Sequence, residues 1–128
     1  MTPKDYLKQY RESITRSAEI EQHLAELKAE AVRLKDHEGH SIALDAAVAA
    51  YVDACNASAA ELSRLAQLRA DIERIIDSEK NEKLHTVLYR HYILGETWVQ
   101  VAAFMHYEYR SITRMHGQAL LEVRERCP

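Results

Sequence analysis

The sequence predicts an all-α fold, and three observations point that way. Ala and Leu, eighteen and thirteen residues, outnumber the twenty Val, Ile and Thr combined, a bias toward helix over strand. Pro stands only at Pro3 and Pro128 and Gly only at Gly39, Gly95 and Gly117, so the turns that a sheet requires are scarce. Apolar residues also recur at helical intervals along most of the chain. A length of 128 residues suits one domain, or a small domain with an extended arm, and excludes two large ones.

The first helix is predicted from Lys4 to Lys35. Its stripe of Tyr6, Tyr10, Ile20, Leu24, Leu27, Ala31 and Leu34, with Leu7 and Ile14 beside it, alternates steps of four and three from Ile20 onward. That is the seam of a helix packed lengthwise on another, about 48 Å long at 1.5 Å per residue. Gly39 interrupts the pattern in a form suited to a left-handed turn, and Ser41 is placed to cap a second helix. That helix carries Leu44, Val48, Tyr51, Cys55, Ser58, Leu62, Leu65, Leu68, Ile72 and Ile75 inward as far as Asp77 and Ser78. Two long helices joined by a short polar turn predict an antiparallel hairpin over residues 1–78, coiled-coil-like and suited to interaction or dimerisation. The alanines of 43–60 read as hairpin stalk, with a docking surface for a closely approaching helix as the alternative. Outer apolar positions such as Leu7, Ile14, Leu68 and Ile76 lack cover in a bare hairpin, which predicts a homodimer; the alternative is that the C-terminal part folds back over them.

Beyond Ser78 shorter units are predicted over residues 79–128. A third helix, capped by Asp77 or Ser78, presents Leu84, Val87, Leu88, His91 and Tyr92 and stops at Gly95. Thr97-Trp98-Val99-Gln100 then has the S/T-x-x-E/Q form of a capping box. The short helix that it opens places Trp98, Val101, Ala102 and Met105 on one face, with Trp98 packing inward. His106, Tyr107 and Glu108 form a turn. A longer helix from Tyr109 to about Glu125 turns Ile112, Met115, Ala119, Leu120 and Val123 inward and Leu121 outward.

A capped helix, a three-residue turn and a longer helix are the parts of a helix-turn-helix. Ala102 occupies the crossing, where only a small side chain fits. On the second helix Arg110 and Arg114 stand four apart on one face, flanked by Tyr109, Ser111, Thr113 and Gln118, while the apolar residues point away. Such a face suits the major groove of double-stranded DNA, where Arg reads guanine or holds phosphate and Gln pairs with adenine. The net charge of −3 argues against indiscriminate nucleic-acid binding. Residues 81–128 nonetheless carry six basic against five acidic side chains, so a polyanion would meet the C-terminal part.

Residues 84–124 resemble region four, the C-terminal promoter-reading region of bacterial sigma factors. The shared pattern is a leading helix, then Thr97, Trp98, Val101 and Ala102, a turn, and Ala119, Leu120, Val123 and Arg124. The run Tyr89-Arg90-His91-Tyr92-Ile93-Leu94-Gly95-Glu96-Thr97-Trp98, the segment from Arg114 to Leu120, and the opening Tyr6-Leu7-x-x-Tyr10-Arg11 are similar to small phage and prophage proteins grouped with late-gene transcriptional activators. The resemblance implies a DNA-binding transcriptional regulator of phage or prophage origin, with RNA polymerase as a possible second partner. The turn commonly has Gly where this chain has His106, a residue that enters the left-handed region more readily than most. An adaptor that binds polymerase or a phage packaging or assembly partner is the alternative.

No enzyme signature is present. His37 and His40 flank Gly39 in a turn rather than on one helix face, His85 and His91 stand six apart without a nucleophile, and His116 is placed for phosphate or for packing near Gly117. No metal or cofactor site is read from the sequence. Cys55 and Cys127 lack the spacing of a zinc site or disulfide framework and are expected reduced, the first in the core. Gly117 inside a helix predicts a close backbone approach. No apolar run reaches the length of a membrane span, and no leader-like stretch opens the chain, so a cytoplasmic protein is expected.

Overall fold

The computed structural model describes residues 1–128, Glu38 by its backbone only. The described residues form five α-helices and no strand: α1 (Pro3–Glu38), α2 (Ile42–Asp77), α3 (Glu82–Leu88), α4 (Trp98–Met105) and α5 (Tyr109–Val123). No helix among them is long and apolar enough to cross a membrane. Two compact units result, one of residues 14–66 and one of 1–13 together with 67–128.

Local chemistry sets the helix ends. Pro3 starts α1, where its missing N–H costs nothing, and the Thr2 hydroxyl accepts from the Asp5 N–H at 3.1 Å. Gly39 ends the helix with φ of 64°. Ser41 caps α2 as expected, its Oγ accepting from the Leu44 N–H at 3.1 Å. His37 lies in the last turn of α1 rather than in the connection.

In the unit of residues 14–66, Ile20, Leu34 and Leu65 are buried, and Leu24, Leu27, Ala31, Leu44, Tyr51, Cys55, Ser58 and Leu62 are half-buried. Two expectations need correction. Val48 is exposed and Ala47 half-buried in its stead, so the inward stripe steps from Leu44 to Ala47 to Tyr51 at three and four residues, both of which keep a helical residue on one face. Cys55 is only half-buried and bonds to the Tyr51 hydroxyl, whose pKa is raised by that bond. Small side chains along this stretch of α2 make a thin seam, so its residues keep partial access to solvent.

The other unit combines the first turns of α1, the end of α2 and everything after it. Tyr6, Leu7 and Tyr10 are buried with Ile72, Ile75 and Ile76. The Tyr10 hydroxyl donates to Glu73 Oε1 at 2.6 Å, and Arg69 donates to the Ser13 carbonyl at 3.3 Å. Burial, then the Glu73 hydrogen bond, pushes the Tyr10 phenol up to about 12. Leu7 and Ile76, expected to need a second chain, are fully buried by this one, and Ile14 and Leu68 are half-buried. The cover that the dimer argument sought at Leu7 and Ile76 is therefore already supplied within the chain.

The cap of α3 also differs from expectation. Ser78 turns its hydroxyl back to the Ile75 carbonyl, which consumes it within the end of α2. Glu79 is buried and accepts from the Asn81 N–H at 3.1 Å. Asn81 is left to cap α3, its Oδ1 accepting from Lys83 and Leu84 N–H groups at 3.1 and 3.2 Å. After Leu88 the helix widens into a π-helical turn over Tyr89–Ile93, closed by the Leu94 N–H on the Tyr89 carbonyl. Gly95 then reverses the chain with φ of 75°. Arg11 Nη1 donates to the Ile93 carbonyl at 2.9 Å, tying α1 to that turn.

Candidate nucleic-acid interface

Thr97 opens α4 with both halves of a capping box. Its Oγ1 accepts from the Gln100 N–H at 3.2 Å, and Gln100 Oε1 accepts from the Thr97 N–H at 2.8 Å. One face of α4 buries Val101 and Ala102, which join Val87 of α3 and Ile112 of α5 in a single core. Trp98, Met105, Tyr107 and Met115 pack at its margin. Ala102, 7% exposed, sits at this meeting point as its size predicts.

Residues 106–108 connect α4 to α5. His106 takes the left-handed conformation, φ 59° and ψ 38°, and the Tyr107 N–H returns to the Ala102 carbonyl at 3.0 Å. This closure satisfies carbonyls that the end of α4 would leave without partners. Lys83 lies 5.4 Å from the Tyr107 ring centre, and the Tyr107 hydroxyl raises the pKa of its ammonium.

α5 is strongly two-sided. Ile112, Ala119 and Val123 are buried, whereas Tyr109, Arg110, Thr113, Arg114 and Gln118 are exposed. Ser111 is half-buried and turns off the face on which it was expected. Thr113 Oγ1 donates to the Tyr109 carbonyl at 3.0 Å, so its hydroxyl proton is spent on the helix itself. Arg110 and Arg114 form no hydrogen bond or ion pair among the described residues, and neither does Arg124. Every other arginine does, as with Arg90 on Glu96 at 2.9 Å and Arg74 on Asp71 at 3.1 Å. The chain thus leaves its uncommitted guanidinium groups on and just after α5.

Comparison with known proteins finds no match: no family model, no curated protein and no solved structure is significantly similar to the chain. What the surface can do therefore rests on its own chemistry.

Behind that surface lies a cluster that the sequence did not disclose. The His91 ring stacks on Trp98 with centres 3.7 Å apart, and the His116 ring stands 4.3 Å from Trp98. His91 Nδ1 donates to the Glu96 carbonyl at 2.8 Å, and the Tyr92 hydroxyl donates to His116 Nε2 at 2.6 Å. Burial, then His91 and Lys4, pushes the His116 pKa down to about 4. Burial lowers His91 as well and raises Tyr92. His116 is consequently a neutral packing residue, not a phosphate ligand. Its spacing on α5 matches an inward position, 4 residues beyond Ile112, which is the signal that could have placed it.

Two other histidines meet carboxylates: His85 lies 3.2 Å from Asp77, and exposed His40 lies 3.6 Å from Asp45. Arg90 closes the back of α4, its guanidinium carbon 3.1 Å from the Phe104 ring centre. Among the described residues no three His, Cys, Asp or Glu side chains gather as a metal site. Gly117 is exposed, and beyond its two chain neighbours and the backbone of its own helix nothing lies within 4 Å of where its Cβ would stand, so the close intrachain approach expected there is absent.

Proposed function

We propose that residues 79–128 carry a helix-turn-helix resembling sigma region four, and that the protein is a DNA-binding transcriptional regulator of phage or prophage type. The helical hairpin of residues 1–78 then serves as its interaction part. The observation that supports this most is the outer face of α5, where two aligned and unpaired guanidinium groups stand opposite a fully buried apolar face. An arginine that only solubilises a helix commonly pairs with a neighbouring carboxylate, as Arg16, Arg33, Arg64, Arg74 and Arg90 do here. Arg110 and Arg114 are instead available for phosphate oxygens or for guanine. The rigid setting of α5 on α3 and α4 favours the same reading, because an interface built on a fixed helix meets a groove without ordering cost. The phage assignment rests on the sequence resemblance alone.

The test is binding to a pool of random duplexes, followed by fluorescence anisotropy across a salt series. Affinity should fall steeply with salt, and exchanging Arg110 and Arg114 together for Ala should reduce the slope by roughly 0.9 for each phosphate that is no longer neutralised. If either guanidinium reads a base, sequence preference disappears as well. Equal affinity of parent and double variant, or no DNA binding by the parent at any salt, overturns the proposal and favours a protein-binding adaptor.

A further inference from the structure

A glycine inside a helix usually answers to one of three needs: a left-handed backbone, a neighbour pressed against it, or an outside body that must come close. Gly117 meets neither of the first two. Gly39 and Gly95 have positive φ, whereas Gly117 is an ordinary helical residue in the second half of α5. Beyond its two chain neighbours and the backbone of its own helix, no atom lies within 4 Å of the place a Cβ would occupy, and the residue is exposed. Helix propensity alone favours Ala at such a position.

Its place on the helix identifies the approaching body. Arg110, Arg114, Gly117 and Leu121 succeed one another at steps of four, three and four, forming one row along the outward face. Gly117 interrupts that row between two guanidinium groups and an exposed leucine. It is eight residues beyond Tyr109, the first residue of α5, which is about 12 Å along the axis. The major groove is about 12 Å wide. Placed across the groove with Tyr109 at one wall, a helix of 15 residues, about 22 Å long, passes the other wall before its end. The bare stretch at Gly117 falls where that wall arrives.

On the DNA-binding reading given above, we propose that one sugar–phosphate strand of the bound duplex crosses α5 at Gly117, in contact with the helix backbone. Arg110 and Arg114 then lie inside the groove and Leu121 outside it, against the sugar edge. Gly117 acts here as a positioning residue: it sets how deeply α5 enters and carries no base preference of its own.

Gly117→Ala and Gly117→Leu test this, each measured for thermal unfolding and for affinity to duplexes selected with the parent protein. Both variants should melt higher, Gly117→Ala by roughly 3–6 °C. Both should nevertheless bind DNA more weakly, about tenfold for Ala and at least a hundredfold for Leu. The ranking of base sequences and the salt slope should stay as in the parent, since no group that holds a phosphate or reads a base is removed. Parental affinity in both variants would overturn the inference while leaving the DNA-binding reading intact, and so would an altered base ranking, which would place a base rather than a strand at Gly117. A lower melting temperature would mean that the fold itself requires this glycine, with the same consequence. A parent that binds no DNA would end both proposals together.

Discussion

Acid should destabilise the unit that contains α3 to α5 through His116. In the unfolded chain its imidazole titrates near 6.5, whereas in the fold burial holds it down to about 4. Between those values the unfolded state binds the proton and the folded state does not, so stability rises with pH across that window and falls as pH is lowered through it. The full displacement corresponds to roughly 3 kcal/mol, and solvent screening at a half-buried ring reduces it to about 1–2 kcal/mol. About 1 kcal/mol of this should disappear between pH 7.5 and pH 5. His91, lowered in the same direction by burial, adds to the effect. Trp98 is the only tryptophan and touches both rings, so its emission during urea unfolding reports the unit directly. His116→Gln keeps an acceptor oxygen for the Tyr92 hydroxyl but does not titrate in this range. Comparing the two pH values in parent and variant cancels the carboxylates common to both. An equal loss on acidification in the two proteins would refute the reasoning.

Four further outcomes are expected from the packing. Ala102→Leu forces volume into the core shared with Val87, Val101 and Ile112 and should cost about 1–3 kcal/mol in urea unfolding. His106→Gly removes the steric cost of a left-handed residue and should raise stability by about 0.5–1 kcal/mol, read as a higher denaturant midpoint. Gly95→Ala places a Cβ 2.9 Å from Arg11 Nε at a φ of 75°; displacing that side chain and straining the backbone should lower stability by about 1–2 kcal/mol, measured by thermal unfolding. A fragment of residues 79–128 lacks Leu7, Tyr10, Ile72 and Ile76, which complete its unit, and should show no cooperative thermal transition by circular dichroism.

Features written in neighbouring residues could be read without coordinates. The capping box at Thr97 and Gln100, the cap at Ser41, the left-handed turn at His106 and the size requirement at Ala102 each depend on a few adjacent positions or on one close helix pair. The two-sidedness of α5 was equally plain from its period. What could not be read depends on partners distant in the chain. Asp77 or Ser78 is the cap expected for α3, but Ser78 bonds back to Ile75 and Glu79 goes inside, which leaves Asn81 to cap it. Leu7 and Ile76 looked bare because nothing local reveals that residues 1–13 join the C-terminal unit. His116 could be read either for phosphate or for packing, because Trp98 and Tyr92, which enclose it, approach from separate elements. The uncommitted state of Arg110 and Arg114 is likewise a property of the whole charge arrangement, since a sequence does not say which guanidinium groups will find carboxylates.

The division of the chain also bears on the order in which it can fold. On the hairpin proposed above, residues 14–66 are contiguous and can zip together from their central turn, each new pairing closing only a small additional loop. The other unit joins residues 1–13 to residues 67–128 across that whole interval. With the interval still a flexible coil, bringing its ends together would cost about 3.5 kcal/mol by the logarithmic dependence on 53 residues. Once it is helical and paired, that entropy has already been lost and the remaining search is short. During synthesis, at roughly 5–20 residues per second, Tyr6, Leu7 and Tyr10 wait several seconds before α5 exists to complete their unit. The two long helices are in this sense a guide that holds the first-made residues in place until the last-made helix arrives.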